Sequence, residues 1–293
     1  MAELILDARN GTGESPVWHV AEQALYWVDI PGKTINRWSP TAGHRQWETE
    51  EMPACIAATA TPGQWIAGME TGVFSLQLQD DGKALATRLA AVPHAAPTMR
   101  FNDGRCDRQG RFWAGTMLLD MAAAARVGCV YSYASDSEKL ATVLDDFIVP
   151  NGLAFSPDGK TMYVSDSHPT VQQVWAYDYD TQSGTPSNRR VFVDMNAFPG
   201  RPDGAAMDVD GCYWICGNDA GLIHRFTPDG RLDKSLAVPV KKPAMCAFGG
   251  PQLDTLYVTS IRPGGDLTDQ PLAGGVFALQ PGVCGLPEPV FAA

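Results

Sequence analysis

The amino-acid sequence predicts an all-β protein, a six-bladed β-propeller with four-stranded blades around a central channel. Three observations carry that expectation. A unit of turn, aromatic-bearing apolar strand and second strand recurs six times. Its aligned aromatics, Trp27, Trp65, Trp113, Tyr163, Trp214 and Tyr257, are spaced 38, 48, 50, 51 and 43 residues apart, a period that suits four short strands per unit. The 29 Gly and 22 Pro are scattered along the chain, which favours frequent turns over helices.

In chain order, the first strand of each pair reads "ALYWVD" (24–29), "GQWIAG" (63–68), "RFWAGT" (111–116), "TMYVSD" (161–166), "CYWICG" (212–217) and "TLYVTS" (255–260). The second reads "TINRW" (34–38), "GVFSL" (72–76), "CVYSY" (129–133), "QVWAY" (173–177), "LIHRF" (222–226) and "GVFAL" (275–279). Tight turns fit between strands at "DRQG" (107–110), "SPDG" (156–159) and "TPDG" (227–230), where Asp and Gly supply the needed backbone. Runs such as "RRVFVD" (189–194) and "KSLAVPV" (234–240) serve as outer strands. The N-terminal "ELILD" (3–7) reads as one more outer strand, placed to pair with the last blade and close the ring. The Ala-rich stretch 117–128 is expected to be a loop or short helix. No linker interrupts the pattern, so residues 1–293 are expected to form a single domain.

Composition narrows the function. The net charge of −11 argues against nucleic acid and against an anionic membrane surface. No apolar run reaches 18 residues, and "MAELILDARNGTGESP" lacks the basic and apolar regions of a secretion signal, so a cytoplasmic protein is expected. Seven cysteines, an odd number, fit reduced thiols. Cys212 and Cys216 in "CYWIC" lie four apart on a strand, roughly 13 Å, too far for one metal without a kink, so both are expected to be core thiols.

Ten to thirteen residues before each aligned aromatic stand Glu14, Cys55, Asn102, Asn151, Asp203 and Cys246. In a propeller the innermost strand starts there, so these side chains should converge on one mouth of the channel. Taken singly, Asp203 in "PDG" and Asn151 in "PNG" read as turn residues; the shared position turns the set into a site. Two carboxylates and two amides, with no His or thiolate, suit a hard divalent cation such as Ca2+, Mg2+ or Mn2+, with Zn2+ or Fe2+ open. Cys55 and Cys246 fit the apolar channel wall. The five His residues form no His-x-x-x-His pair and no Ser-His-Asp arrangement, which leaves a serine triad without support.

At these residues the sequence resembles the gluconolactonase family, which includes regucalcin and bacterial sugar lactonases. The matching stretches are "GESPVW" (13–18), "RFNDGRCDRQGRFWAGTM" (100–117), "PNGLAFSPDGKTMYVSD" (150–166), "RPDGAAMDVDGCYW" (201–214) and "CAFGGPQLDTLYVTS" (246–260). They span essentially the whole chain. The resemblance implies a six-bladed propeller with one divalent metal, Ca2+ foremost, held by Glu14, Asn151 and Asp203. It implies substrate contacts from Arg100 and Asn102. Family members also carry an acidic residue soon after "AGTM"; the candidate here is Asp120, in a stretch that departs from the pattern. The implied reaction is hydrolysis of a sugar lactone (glucono-, galactono-, xylono- or arabinono-) with Asp203 as proton acceptor, in a monomer or homodimer. An organophosphate or aryl-ester hydrolase, a non-catalytic calcium-binding propeller and a strictosidine-synthase-like enzyme are the alternatives.

Overall fold

The computed structural model describes residues 2–136 and 139–292. The strands are β1 (Glu3–Leu6), β2 (Gly13–His19), β3 (Ala24–Asp29), β4 (Thr34–Ser39), β5 (Gly43–Glu48), β6 (Cys55–Ala58), β7 (Gln64–Gly68), β8 (Gly72–Leu78), β9 (Ala84–Ala91), β10 (Met99–Cys106), β11 (Phe112–Leu118) and β12 (Gly128–Ala134). They continue with β13 (Lys139–Phe147), β14 (Pro150–Phe155), β15 (Thr161–Asp166), β16 (Gln173–Asp180), β17 (Thr185–Asp194), β18 (Arg201–Met207), β19 (Tyr213–Asn218), β20 (Leu222–Phe226), β21 (Leu232–Ala237), β22 (Pro243–Gly249), β23 (Thr255–Ser260) and β24 (Val276–Leu279). These build six four-stranded antiparallel blades. Five blades are sequential meanders: β2 to β5, β6 to β9, β10 to β13, β14 to β17 and β18 to β21. The sixth has the order β1-β24-β23-β22, so the N-terminal strand completes the last blade, as its sequence suggests.

The first strands of the blades, β2, β6, β10, β14, β18 and β22, each contact the next around a closed ring. They are buried nearly throughout, whereas β13, β17 and β21 are mostly exposed. That gradient is what a propeller requires: inner strands pack on neighbouring blades on both faces, outer strands on few. Trp27, Trp65, Trp113 and Trp214 are among the largest fully buried side chains. Tyr163 and Tyr257 hold the corresponding places in the other two blades and are also buried. Cutting one such aromatic back to Ala costs roughly 3–5 kcal/mol in a packed core.

The turns after the inner strands follow the chemistry of their sequences. Asp107 accepts backbone bonds from Gln109 and Arg111, and Asp208 does the same for Asp210 and Cys212. In "SPDG", Gly159 takes φ 72°, a value that a residue carrying a Cβ would resist. The stretch 117–128 divides: β11 runs on to Leu118, and a 3-10 turn covers Met121–Ala123. The other 3-10 turn covers Met195–Ala197, and no α-helix occurs among the described residues. No helix of these residues is long and apolar enough to cross a membrane.

After β24 the chain crosses the blade turns at the far ends of the inner strands. Backbone bonds join Val209 to Cys284, Gly285 to Leu253, Phe291 to Ala58 and Ala292 to Gly110. The tail thus touches four blades, at the channel end opposite the starts of the inner strands.

Candidate functional site

The starts of the inner strands surround a cavity of about 300 Å³ whose lining includes Glu14, Arg100, Asn102, Asn151 and Asp203. All five side chains are buried. Cys55 and Cys246 do not line it; each is fully buried in a hydrophobic cluster. Cys212 and Cys216 are buried as well, and all seven cysteines are unpaired. Asp120 is exposed, just before the Met121–Ala123 turn. Its neighbours Leu119 and Met121 line the cavity, and Asp120 does not.

The four polar residues occupy two adjacent positions rather than one. Glu14 and Asn151 are the last paired residues before a break in register, opposite Val28 and Ser165. Asn102 and Asp203 are the first residues inside the corresponding break, after Phe101 and Pro202. A bulge re-aims side chains locally, so both positions reach the same cavity. In blades one and four the next residue is left-handed: Ser15 has φ 51° and Gly152 φ 59°. Ser15 is held there by its hydroxyl, which accepts a bond from the Ile56 N–H at 2.9 Å.

Aspartates at the ends of second strands fix two of these strand starts. Asp29 accepts from the backbone N–H groups of Gly11 and Thr12, just ahead of Glu14. Asp166 accepts from Ile148 and Val149, just ahead of Asn151. In blade five the strand-end position holds Asn218, whose Nδ2 donates to Asp203 Oδ2 at 2.5 Å. Asn218 lines the cavity. Counting from the aligned aromatics misses it, since it stands four residues after Trp214 whereas Asp29 and Asp166 stand two and three after theirs; the equivalence shows only in the strand pairing. Arg100 donates from one nitrogen to the Phe101 carbonyl at 2.6 Å and to Asn102 Oδ1 at 2.8 Å, and Asn102 Nδ2 donates to the Pro150 carbonyl at 3.1 Å. Arg100 and Asn102 therefore form one unit that also touches blade four.

The electrostatics of this pocket fit a cation. Burial raises the pKa of Glu14 well above the usual carboxylate range, and the charges of Asp203 and Asp103 add to the effect. Burial also raises that of Asp203, against the lowering effects of the Asn218 bond and of Arg201. Burial lowers the Arg100 pKa to about 10. Asn151 Oδ1 and Asn218 Oδ1 are buried with no hydrogen-bond partner among the described residues. Two crowded carboxylates beside unpartnered amide oxygens are the donor set of a hard divalent ion. No group of three His, Cys, Asp or Glu side chains offers an alternative metal site among the described residues.

A six-bladed propeller with an oxygen-lined cavity at one end of its channel is the class that fold and site define. The chain belongs to the SMP-30/Gluconolactonase/LRE-like family, whose model matches residues 12–262. It is 39% identical over 285 residues to 6-deoxy-6-sulfogluconolactonase of Pseudomonas putida, covering 96% of this chain and 94% of that protein. It is 36% identical over 293 residues to regucalcin of Oryctolagus cuniculus, covering 97% and 96%. Among solved structures, a luciferin-regenerating enzyme superposes with a TM-score of 0.92 at 27% identity, covering 100% of this chain and 99% of its own. A calcium-binding protein, regucalcin, from Agrobacterium tumefaciens superposes with a TM-score of 0.90 at 27% identity, covering 100% and 98%.

Proposed function

We propose that the protein hydrolyses a sugar lactone to its open-chain acid, using one divalent cation held by Glu14, Asn151 and Asp203. Family membership and the lactonase relative support lactone hydrolysis. The observation that carries the site assignment is the convergence of two buried carboxylates and an unpartnered amide oxygen on one cavity that also presents a guanidinium. Calcium is the first choice of ion, since every donor is oxygen and a structural relative is described as calcium-binding; Zn2+, Mn2+, Mg2+ and Fe2+ are the competitors. The bound cation supplies Lewis acidity to the ester carbonyl and lowers the pKa of water.

The remaining work falls to the chain. Asp203 accepts the proton of the attacking water as its oxygen bonds to the carbonyl carbon. The ring C–O bond then breaks, and the same proton passes to the departing alkoxide. Asn218 fixes the Asp203 carboxylate through Oδ2. Arg100, steadied by Asn102, is placed to hold the carbonyl oxygen as it gains charge. Met117, Leu119, Met121 and Val149 give the cavity an apolar side against which a sugar ring packs. Asp120 contacts substrate in this reading only by a movement of its exposed turn. The unpaired thiols, with Cys284 exposed, support a reducing cytoplasmic setting.

The test is a proton-release assay on chelator-stripped protein, restored with each of the five ions, across aldono-1,4- and 1,5-lactones and corrected for spontaneous opening. Hydrolysis is expected only with metal. Asp203→Asn is expected to lower kcat at least about 100-fold. A folded Asp203→Asn protein that binds the ion by calorimetry and turns over normally ends the base assignment. Turnover of aryl or phosphate esters, with no lactone opened under any ion, replaces the lactonase reading.

A further inference from the structure

The mouth of the cavity carries charge that a neutral lactone does not use. Arg201 and Lys242 both line it. Arg201 Nε donates to Asp219 Oδ2 at 2.6 Å, and Lys242 Nζ donates to the other oxygen of the same carboxylate. Two cations, with side chains only 19% and 27% exposed, thus share one acid that is 44% exposed. Deeper in, Arg100 has no carboxylate within ion-pair range among the described residues, and its Nε is buried without a hydrogen-bond partner. This clustering of positive charge occurs in a chain with 33 acidic and 22 basic residues. Partly buried cations that are not matched one to one lose hydration without full return. A ligand that brings its own negative charge supplies that return.

Distance agrees. Arg201 precedes Asp203 by two residues on β18, roughly 7 Å along an extended strand. A substituent on the last carbon of a hexonolactone lies on that order from the ester carbonyl. With the ester at Asp203, the far end of the sugar reaches the Arg201–Lys242 pair.

We infer that the preferred substrate is a lactone bearing an anionic group, a carboxylate, sulfonate or phosphate, at the end remote from its ester, and that Arg201 and Lys242 bind that group. The guanidinium takes two oxygens side by side, the ammonium adds a point charge, and Asp219 is the placeholder that the ligand displaces. The rim cations also draw anions toward a protein whose overall charge repels them. This inference rests on the lactone-hydrolase reading above.

The experiment compares gluconolactone with 6-phosphogluconolactone, a glucaric acid lactone and 6-deoxy-6-sulfogluconolactone, each assayed with the activating metal. The expected result is a kcat/KM at least about tenfold higher for one or more of the anionic lactones, carried by KM. The phosphate, carboxylate and sulfonate arms identify which anion the site prefers. KM for the anionic lactone should rise between low and high ionic strength while that for gluconolactone stays flat; this arm needs no variant. Lys242→Gln and Arg201→Gln should lower the anionic-to-neutral selectivity ratio about tenfold. Asp219→Asn should raise it, since Asn tolerates the left-handed φ of 77° found there. Equal or better use of gluconolactone by the unmodified protein, or a ratio within twofold of it in all three variants, overturns the inference and leaves the lactonase reading standing. Failure to open any lactone under any ion is instead a failure of that reading, and takes the inference with it.

Discussion

Gly152 shows how closely the site depends on single backbone positions. Its φ is 59°, and an added Cβ would lie 2.4 Å from Tyr213 Oη and 2.8 Å from Ser165 Oγ. Tyr213 Oη also donates to the Gly152 carbonyl at 2.6 Å. Gly152→Ala should therefore cost about 1–3 kcal/mol and shift the neighbouring Asn151. Lower thermal stability together with weaker metal binding by calorimetry is the expected pair of results; unchanged metal affinity would separate Asn151 from the ion. A second residue gives the protein a readable pH response. His224 is buried, with Nε2 2.9 Å from the Pro199 carbonyl and Nδ1 2.8 Å from Ser235 Oγ, so the neutral ring donates to the first and accepts from the second. Burial lowers its pKa below the usual 6.5. Between the lowered folded value and the unfolded one, only the unfolded chain binds the proton, so this contribution is complete above about pH 6.5 and shrinks as pH falls. His224→Gln cannot titrate. The stability gap between the two proteins should narrow on acidification from pH 7.5 to 5, read as melting temperature against pH; parallel curves would contradict it.

At the scale of elements, the closing strand is the most exposed dependency. Strand β1 pairs Glu3 with Ala278, Leu4 with Phe277 and Leu6 with Val276, and it supplies the outer edge of a blade that otherwise has three strands. Removing residues 2–7 leaves β24 as a bare edge. Melting should fall by about 10 °C, the shift expected for a loss of a few kcal/mol at this size, and association through the exposed edge should increase. An unchanged melting point with a monomeric product would mean the ring does not need this closure. The strand was legible in the sequence because its apolar residues had no other blade to complete. The strand pairs were legible for a similar reason, since a propeller repeats its aromatic and its turns; "ALYWVD", "TMYVSD", "TLYVTS" and "LIHRF" coincide with β3, β15, β23 and β20. The two-position arrangement of Glu14 and Asn151 against Asn102 and Asp203 was not legible. A bulge inserts a residue without disturbing the hydrophobic pattern, so counting back from an aromatic cannot detect it. Arg201 was within reach, since it precedes Asp203 by two residues as Arg100 precedes Asn102; Lys242 was not, because only the folded ring brings the start of the last blade beside β18.

The whole molecule is built with two unlike channel ends, one open at the oxygen-lined cavity and one crossed by the C-terminal tail. Between them runs a column of buried charge. Asp103 accepts a bond from the Leu153 N–H at 2.7 Å, and the nearby Arg105 opposes the rise that burial imposes on the Asp103 pKa. Arg105 donates to the Ala205 carbonyl at 2.5 Å and pairs with Glu288 of the tail at 3.3 Å. Glu288 is thus the charged group through which the tail reaches into the channel, and its carboxylate balances a guanidinium that cannot lose its proton. Glu288→Gln keeps the shape of the side chain and removes that balance. The partner left behind is buried, while Glu288 itself is partly open to solvent, so the cost should fall somewhat below that of breaking a fully buried pair, at about 1–3 kcal/mol. Melting should drop by roughly 2–10 °C on that basis. Because the tail lies at the far end of the inner strands, lactone turnover at saturating metal should stay within about threefold of the unmodified enzyme. A stable Glu288→Gln protein that had lost its activity would show instead that charge at the end crossed by the tail reaches the Glu14 and Asp203 carboxylates through Asp103, and that the two ends of the channel are electrostatically one site.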